Sequence, residues 1–100
     1  MLPKTVLITG ANRGIGFALV QRFLEEDSVE IVVAGCRNLE SSTELHKLGN
    51  QKLYVVQLDV TDDSSIQNAV GTVEKIVGDK GLNIIVNNAG TFESYDVSCG

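Results

Sequence analysis

Basic residues, cysteines and long apolar runs are all scarce in this chain. Eight lysines and arginines stand against thirteen aspartates and glutamates in 100 residues, for a net charge of −5. The basic residues are scattered, which sets aside nucleic-acid binding, because that role needs clustered Lys and Arg to neutralise phosphates. No apolar run approaches the roughly 20 residues that cross a bilayer, so no membrane role is expected. The start, Met1-Leu2-Pro3-Lys4, lacks the basic-then-apolar pattern of a secretory signal. Only two cysteines occur, Cys36 and Cys99, too few and too far apart for a disulfide framework or a metal site. Cys36 lies in an apolar run and reads as a small buried residue, and the expected compartment is the cytoplasm or another reducing one. There is no internal repeat and no low-complexity stretch. One domain is the ceiling at this length, with little surplus stability.

What is present is an alternation of apolar strands and helical stripes. Thr5-Val6-Leu7-Ile8-Thr9 is a β-branched run that reads as a buried strand ending at Gly10. A helical pattern follows Gly14 and Gly16, with Ile15, Ala18, Leu19 and Phe23 on one face and Val20 and Leu24 beside it. A second strand lies within Glu30 to Cys36. Ser41 and Glu44 have capping-box spacing ahead of a short helix carrying Leu45 and Leu48. Leu53 to Leu58 is a third strand. Thr61-Asp62-Asp63-Ser64 supplies helix-start residues, with Ser64 and Gln67 spaced as a capping box. Ile66, Ala69, Val70, Val73, Ile76 and Val77 then form one apolar stripe. Leu82 to Val86 is a fourth strand, ending in Asn87-Asn88-Ala89-Gly90.

This β-α-β-α-β-α-β order implies an α/β fold with a parallel sheet and helices on both faces. The strands are continuous apolar runs, as burial on both sides requires. Residues 1–90 are expected to form the domain. From Thr91 to Gly100 neither helical nor strand periodicity remains, and that stretch reads as an irregular tail.

Thr9-Gly10-Ala11-Asn12-Arg13-Gly14-Ile15-Gly16 joins the first strand to the first helix. Gly10 permits a sharp turn. Gly14 and Gly16 remove side chains where a pyrophosphate must approach the backbone and where helix meets strand. Free N–H groups and the positive end of the helix dipole face the phosphates. The spacing is T-G-x-x-x-G-x-G rather than the general G-x-G-x-x-G fingerprint. Glycines in such a turn can be purely structural, but three of them in a β-α-β setting favour a nucleotide.

With Asn87-Asn88-Ala89-Gly90 after the fourth strand and Leu58-Asp59-Val60-Thr61 after the third, this turn resembles the short-chain dehydrogenase/reductase family, and more finely its carbonyl-reductase and sniffer-like branch. The resemblance runs from about Thr5 to Gly90. It implies the N-terminal part of a doubly wound Rossmann fold, with four parallel strands in the order 3-2-1-4. It also implies a nicotinamide dinucleotide partner. Gly10, Asn12, Arg13, Gly14, Ile15 and Gly16 would line its phosphate and ribose end. Asp59 would accept a hydrogen bond from the adenine amino group, with Val60 against the ring. Asn87 would meet backbone and ribose, and Ala89 and Gly90 would pass beside the cofactor. Asp59 could equally serve only as a turn residue, and Asn87 only as a partner for loop backbone.

An NAD site usually carries an Asp or Glu at the end of the second strand. Here that place is Ala34-Gly35-Cys36-Arg37, with no acid. Arg37 could pair with a 2′-phosphate through its planar fork, and Arg13 could approach from the other side. NADP(H) is therefore expected over NAD(H). The family's catalytic pattern is a Tyr with a Lys four residues later. Tyr54 has Leu58 at that distance and Tyr95 has Cys99, so no catalytic residue is assigned. The sequence reads as the cofactor-binding part of an oxidoreductase for carbonyl or alcohol substrates, cut off before its active site and inactive alone. A non-catalytic nucleotide-binding module and a residual fragment are the alternatives. The fourth strand would lie at a sheet edge with Leu82, Ile84, Ile85 and Val86 partly uncovered, which predicts weak stability or self-association.

Overall fold

The computed structural model describes residues 3–12 and 14–88. Its elements run β1 (Thr5–Thr9), α1 (Gly14–Leu24), β2 (Ile31–Cys36), α2 (Thr43–Lys47), β3 (Leu53–Gln57), α3 (Asp63–Val77) and β4 (Ile84–Val86). The strands form one parallel sheet in the order β3-β2-β1-β4, the Rossmann-type order expected from the sequence.

Two-residue periodicity divides the core into two layers. On one face Val6, Ile8, Val32, Ala34 and Cys36 pack with Val20 of α1 and Leu45 of α2. On the other, Ile31, Val33 and Val56 pack with Ala69, Val73 and Val77 of α3. Successive strand side chains point to opposite faces, so the unbroken apolar runs of β1 and β2 feed both layers at once. The steps β1 to β2 to β3 run one way, and β3 to β4 runs back past β1. Right-handed crossovers in opposite directions place their helices on opposite faces, as found for α1 and α2 against α3.

Three local expectations are corrected. In α1, Ile15 is 72% exposed and Ala18 is also exposed, whereas Val20 is fully buried. Gly16 faces the carbonyl of Gly10, and this turns the helix so that residues 16 and 20, one i,i+4 pair, form the inner edge. At α3 the cap is Asp62, not Ser64. Its Oδ1 accepts from the N–H groups of Ser64 at 2.9 Å and Ser65 at 3.4 Å, which satisfies two orphan donors of the first turn. Before α2 the N-cap position falls to Ser42, not Ser41. Leu39–Ser41 is a 3-10 turn whose cap, Asn38, accepts from the Glu40 N–H. Ser42 stands at the start of α2 and sends its hydroxyl back to the Leu39 carbonyl instead.

β4 is also shorter than the apolar run that contains it. Asn83, just before the strand, binds the start of β1, and its N–H also reaches the Thr5 carbonyl at 3.1 Å. Asn83 Oδ1 accepts from the Lys4 N–H at 2.7 Å and the Thr5 N–H at 3.2 Å, and its own N–H meets Thr5 Oγ1 at 2.9 Å. The fully buried Thr5 hydroxyl donates to the Gly81 carbonyl. This knot ties the start of β4 to the start of β1. At the edge, Ile85 is 62% exposed while Ile84 and Val86 are partly buried.

Among the described residues no helix is long and apolar enough to cross a membrane. Cys36 is buried and unpaired, and burial pushes its thiol above the ordinary value, with a hydrogen bond to Ser42 pulling the other way.

Candidate functional site

In an open doubly wound sheet the binding crevice lies outside the carboxyl ends of the strands, where the strand order reverses. Here that point is the pair β1 and β4, and the glycine turn and Asn87-Asn88 leave its two sides.

The turn is built by three glycines with different tasks. Gly10 and Gly14 have φ of +61° and +62°, a region that costs an L-residue about 1–2 kcal/mol. Gly16 is needed for space. A Cβ there would lie 2.3 Å from Gly10 O and 2.7 Å from Asn88 Nδ2, whereas one at Gly14 would meet nothing within 4 Å. So the backbone is closed on its inner side and open on its outer side. Ala11 is fully buried and its N–H donates to the Gly35 carbonyl at 3.1 Å, which fixes the turn to β2. Asn12 follows, partly exposed.

The end of β4 is fastened to the same turn. Thr9 Oγ1 accepts from the Asn88 N–H at 2.8 Å and donates toward Asn87 Oδ1 at 3.2 Å. Asn88 Nδ2 donates to the Gly10 carbonyl at 3.2 Å. Thr9 and Asn88 are thus parts of the site that the sequence reading did not single out. Their partners lie at the far end of the chain, and local pattern carries no signal of that pairing.

On the other side of β1, Asp59 divides its carboxylate. Oδ1 accepts from both the hydroxyl of Thr61 at 2.6 Å and its N–H at 3.0 Å. The turn role is therefore realised. Oδ2 lies 3.6 Å from Arg37 Nε. The two Thr61 bonds hold the Asp59 carboxyl below the ordinary aspartate value. Partial desolvation opposes them, and the Arg37 charge adds a smaller downward pull. A depressed carboxylate pKa gives stability that is present above the unfolded value and is lost as pH falls through the folded one. Asp59 therefore stays ionised throughout neutral pH. Arg37 is 77% exposed, and an exposed pair of this kind is held only weakly, so an incoming anion can compete for the guanidinium.

Between α3 and the β1–β4 pair runs an apolar trough of about 720 Å³. It is lined by Thr9, Gly35, Val60 and Asn87 together with Leu7, Val73 and the exposed Ile85. The structure therefore brings Gly10, Gly14, Gly16, Asp59, Val60 and Asn87 to the carboxyl ends of the strands, with Arg37 beside Asp59. Ile15 stands at the first turn of α1, largely in solvent. Arg13, Ala89, Gly90 and the stretch read as a tail lie outside the described residues.

The fold and the glycine turn define a Rossmann-type domain with a crevice at the carboxyl ends of β1 and β4. Comparison with known proteins narrows the class. A family profile described as short chain dehydrogenase matches residues 4–98. The 17-beta-hydroxysteroid dehydrogenase type 6 of Rattus norvegicus is 40% identical over 92 residues, covering 92% of this chain and 28% of that protein. The carbonyl reductase Sniffer of Caenorhabditis elegans superposes with a TM-score of 0.87 at 41% identity, over 91% of this chain and 39% of that one. An NADPH-bound carbonyl reductase from chicken fatty liver gives 0.83 and 41%, over 90% and 38%. The chain belongs to the short-chain dehydrogenase family, and it spans between about a quarter and two fifths of the length of these relatives.

Proposed function

We propose that this chain forms the NADP(H)-binding half of a short-chain oxidoreductase that acts on carbonyl or alcohol substrates. The observation that carries the reading is the shape of the glycine turn: no space inside at Gly16, open space outside at Gly14. That cradle fits a pyrophosphate, which needs close approach to free N–H groups at a helix start. When bound, the nicotinamide dinucleotide supplies the hydride carrier. The chain's own residues bind and orient it. Gly10, Asn12, Arg13, Gly14, Ile15 and Gly16 hold the phosphates and the nearby ribose. Asp59 Oδ2 and Val60 receive the adenine. Asn87, Ala89 and Gly90 border the far ribose. Arg37 receives the 2′-phosphate, since β2 ends without a carboxylate and the Asp59 pair uses only Nε. The NADPH-bound chicken relative supports that preference, and the buried free thiol of Cys36 agrees with a cytoplasmic setting.

Calorimetric titration with NADPH and NADH tests the reading. NADPH binds more tightly, and Arg37→Ala weakens it about ten- to a hundredfold, as loss of a charge-assisted contact should, while NADH is little changed. A folded chain that binds neither dinucleotide overturns the proposal. Binding with no reaction for these 100 residues alone fits a non-catalytic module, which the absence of a Lys four residues after Tyr54 or Tyr95 favours as the second reading.

The β4 edge supports a further expectation for the 100-residue chain on its own. Among the described residues β4 is paired on one side only, and that open edge, with an exposed Ile85 beside an apolar trough, is a template for association. Sedimentation velocity shows concentration-dependent assembly, reduced by Ile85→Lys. A monomer at all concentrations refutes it.

A further inference from the structure

Four hydrogen bonds hold Asp59, and they leave one of its oxygens over. Two fix the main chain to the start of α3: the Asp59 N–H donates to Ser65 Oγ at 2.9 Å, and its carbonyl accepts from the Asp62 N–H at 3.0 Å. The carboxylate is fixed separately. Oδ1 accepts from the Thr61 hydroxyl at 2.6 Å and from the Thr61 N–H at 3.0 Å, which fills its two lone-pair directions. Oδ2 accepts no hydrogen bond among the described residues. Arg37 Nε stands 3.6 Å from it, an ion-pair contact longer than a hydrogen bond. The Asp59 side chain is 26% exposed, so Oδ2 is the oxygen that a donor on a ligand can reach. The last torsion of an aspartate is broad and roughly two-fold. One donor on Oδ1 restrains it weakly, and two donors on the same oxygen fix the plane.

We infer that Thr61 is a positioning residue that sets base specificity: its hydroxyl fixes the Asp59 carboxylate so that Oδ2 is presented to a 6-amino purine. The inference rests on the dinucleotide reading above and assigns to Thr61 a task beyond the turn. Both Thr61 bonds favour the ionised carboxylate, and an ionised carboxylate only accepts. It takes the amino group of adenine. Against a 6-oxo purine it sets one acceptor facing another. That discrimination needs a fixed carboxylate, because one that turns can avoid the clash. The main chain of Asp59 keeps its own bonds to Ser65 and Asp62, so loss of the Thr61 hydroxyl loosens the carboxylate and leaves the loop in place.

The test compares wild type, Thr61→Val and Thr61→Ser. Thr61→Val keeps the size and the N–H bond and removes the hydroxyl, at an exposed position. Thr61→Ser restores the hydroxyl. Each is titrated with NADPH and with its hypoxanthine analogue, in which a 6-oxo group replaces the amino group. Wild type prefers NADPH. Thr61→Val cuts that preference about tenfold, as loss of one hydrogen bond should, through weaker NADPH binding, and Thr61→Ser keeps it. Carbon-13 titration of the Asp59 carboxyl is the second readout: its midpoint rises in Thr61→Val and holds its wild-type position in Thr61→Ser. No preference in wild type, an unchanged preference in Thr61→Val, equal losses for both dinucleotides, or an unmoved carboxyl midpoint each overturns the inference while leaving the dinucleotide reading intact. A wild type that binds neither dinucleotide refutes that reading, and the inference falls with it.

Discussion

Gly16→Ala lowers stability by about 3 kcal/mol, near the upper end of the usual range for forcing an extra methyl into a packed place, while Gly14→Ala costs about 1–2 kcal/mol. Both are glycines of one turn and two residues apart, so the contrast isolates the cause. At residue 16 the new Cβ would sit 2.3 Å from a backbone oxygen. That oxygen is part of the backbone and cannot rotate away as a flexible side chain would, and the new Cβ would also crowd Asn88 Nδ2, which donates to it. Relief requires α1 to move off β1, which opens the layer containing Val20 and Ile8. At residue 14 there is space, and the cost is the strained φ of +62°, partly offset by a less flexible unfolded chain. Urea denaturation followed by far-ultraviolet circular dichroism measures both. Equal midpoints for the two variants would refute the steric account.

Ile8→Ala has a comparable or larger effect, about 2–5 kcal/mol. Ile8 is fully buried in the central strand, in register with Ala34 on one side and Val86 on the other. Its neighbours in the layer are held by strand hydrogen bonds, so they cannot collapse into the cavity left behind. Since a domain of this kind has only about 5–15 kcal/mol in total, the variant loses a large part of its cooperative transition at room temperature. Ile85→Ala is the control, for Ile85 pairs with Leu7 in the same sheet but is mostly exposed and should change the midpoint little. A small shift for Ile8→Ala would mean that the sheet tolerates rearrangement at its centre.

The sequence made legible what depends on near neighbours. The strand Thr5–Thr9, the glycines after it and the stripe ending in Val73 and Val77 are local patterns, and each appears in the structure where it was expected. The parallel sheet followed from the alternation of elements, and its strand order was what the family resemblance implied. What was not legible depends on distant partners. Gly16 read as a glycine that clears space for a pyrophosphate and for helix against strand, but only the carbonyl of Gly10 and the amide of Asn88 show which atoms it meets and why α1 leaves Ile15 in solvent. Asp62 and Ser64 both had the chemistry of a cap, and the sequence could not choose between them. At Asn87-Asn88, the first asparagine attracted the functional assignment, while the second holds the turn. Asp59 was offered two roles as alternatives, and its two oxygens keep them compatible.

The knot between Thr5 and Asn83 joins residues 78 positions apart. Closing so long a loop is entropically costly and is repaid only when the contacts at its end form together. β1 and β2 can pair as soon as residue 36 is available, but the edge next to β1 stays vacant until nearly nine-tenths of these 100 residues have been made. During synthesis the central strand therefore waits with one side bare, the stage at which an unfinished sheet is most exposed to aggregation or chaperone capture. The glycine turn, whose Gly10 carbonyl accepts from Asn88, is completed only when that wait ends. A ribosome-bound chain arrested before β4 emerges would hold three strands and the glycines, but not the cradle they shape.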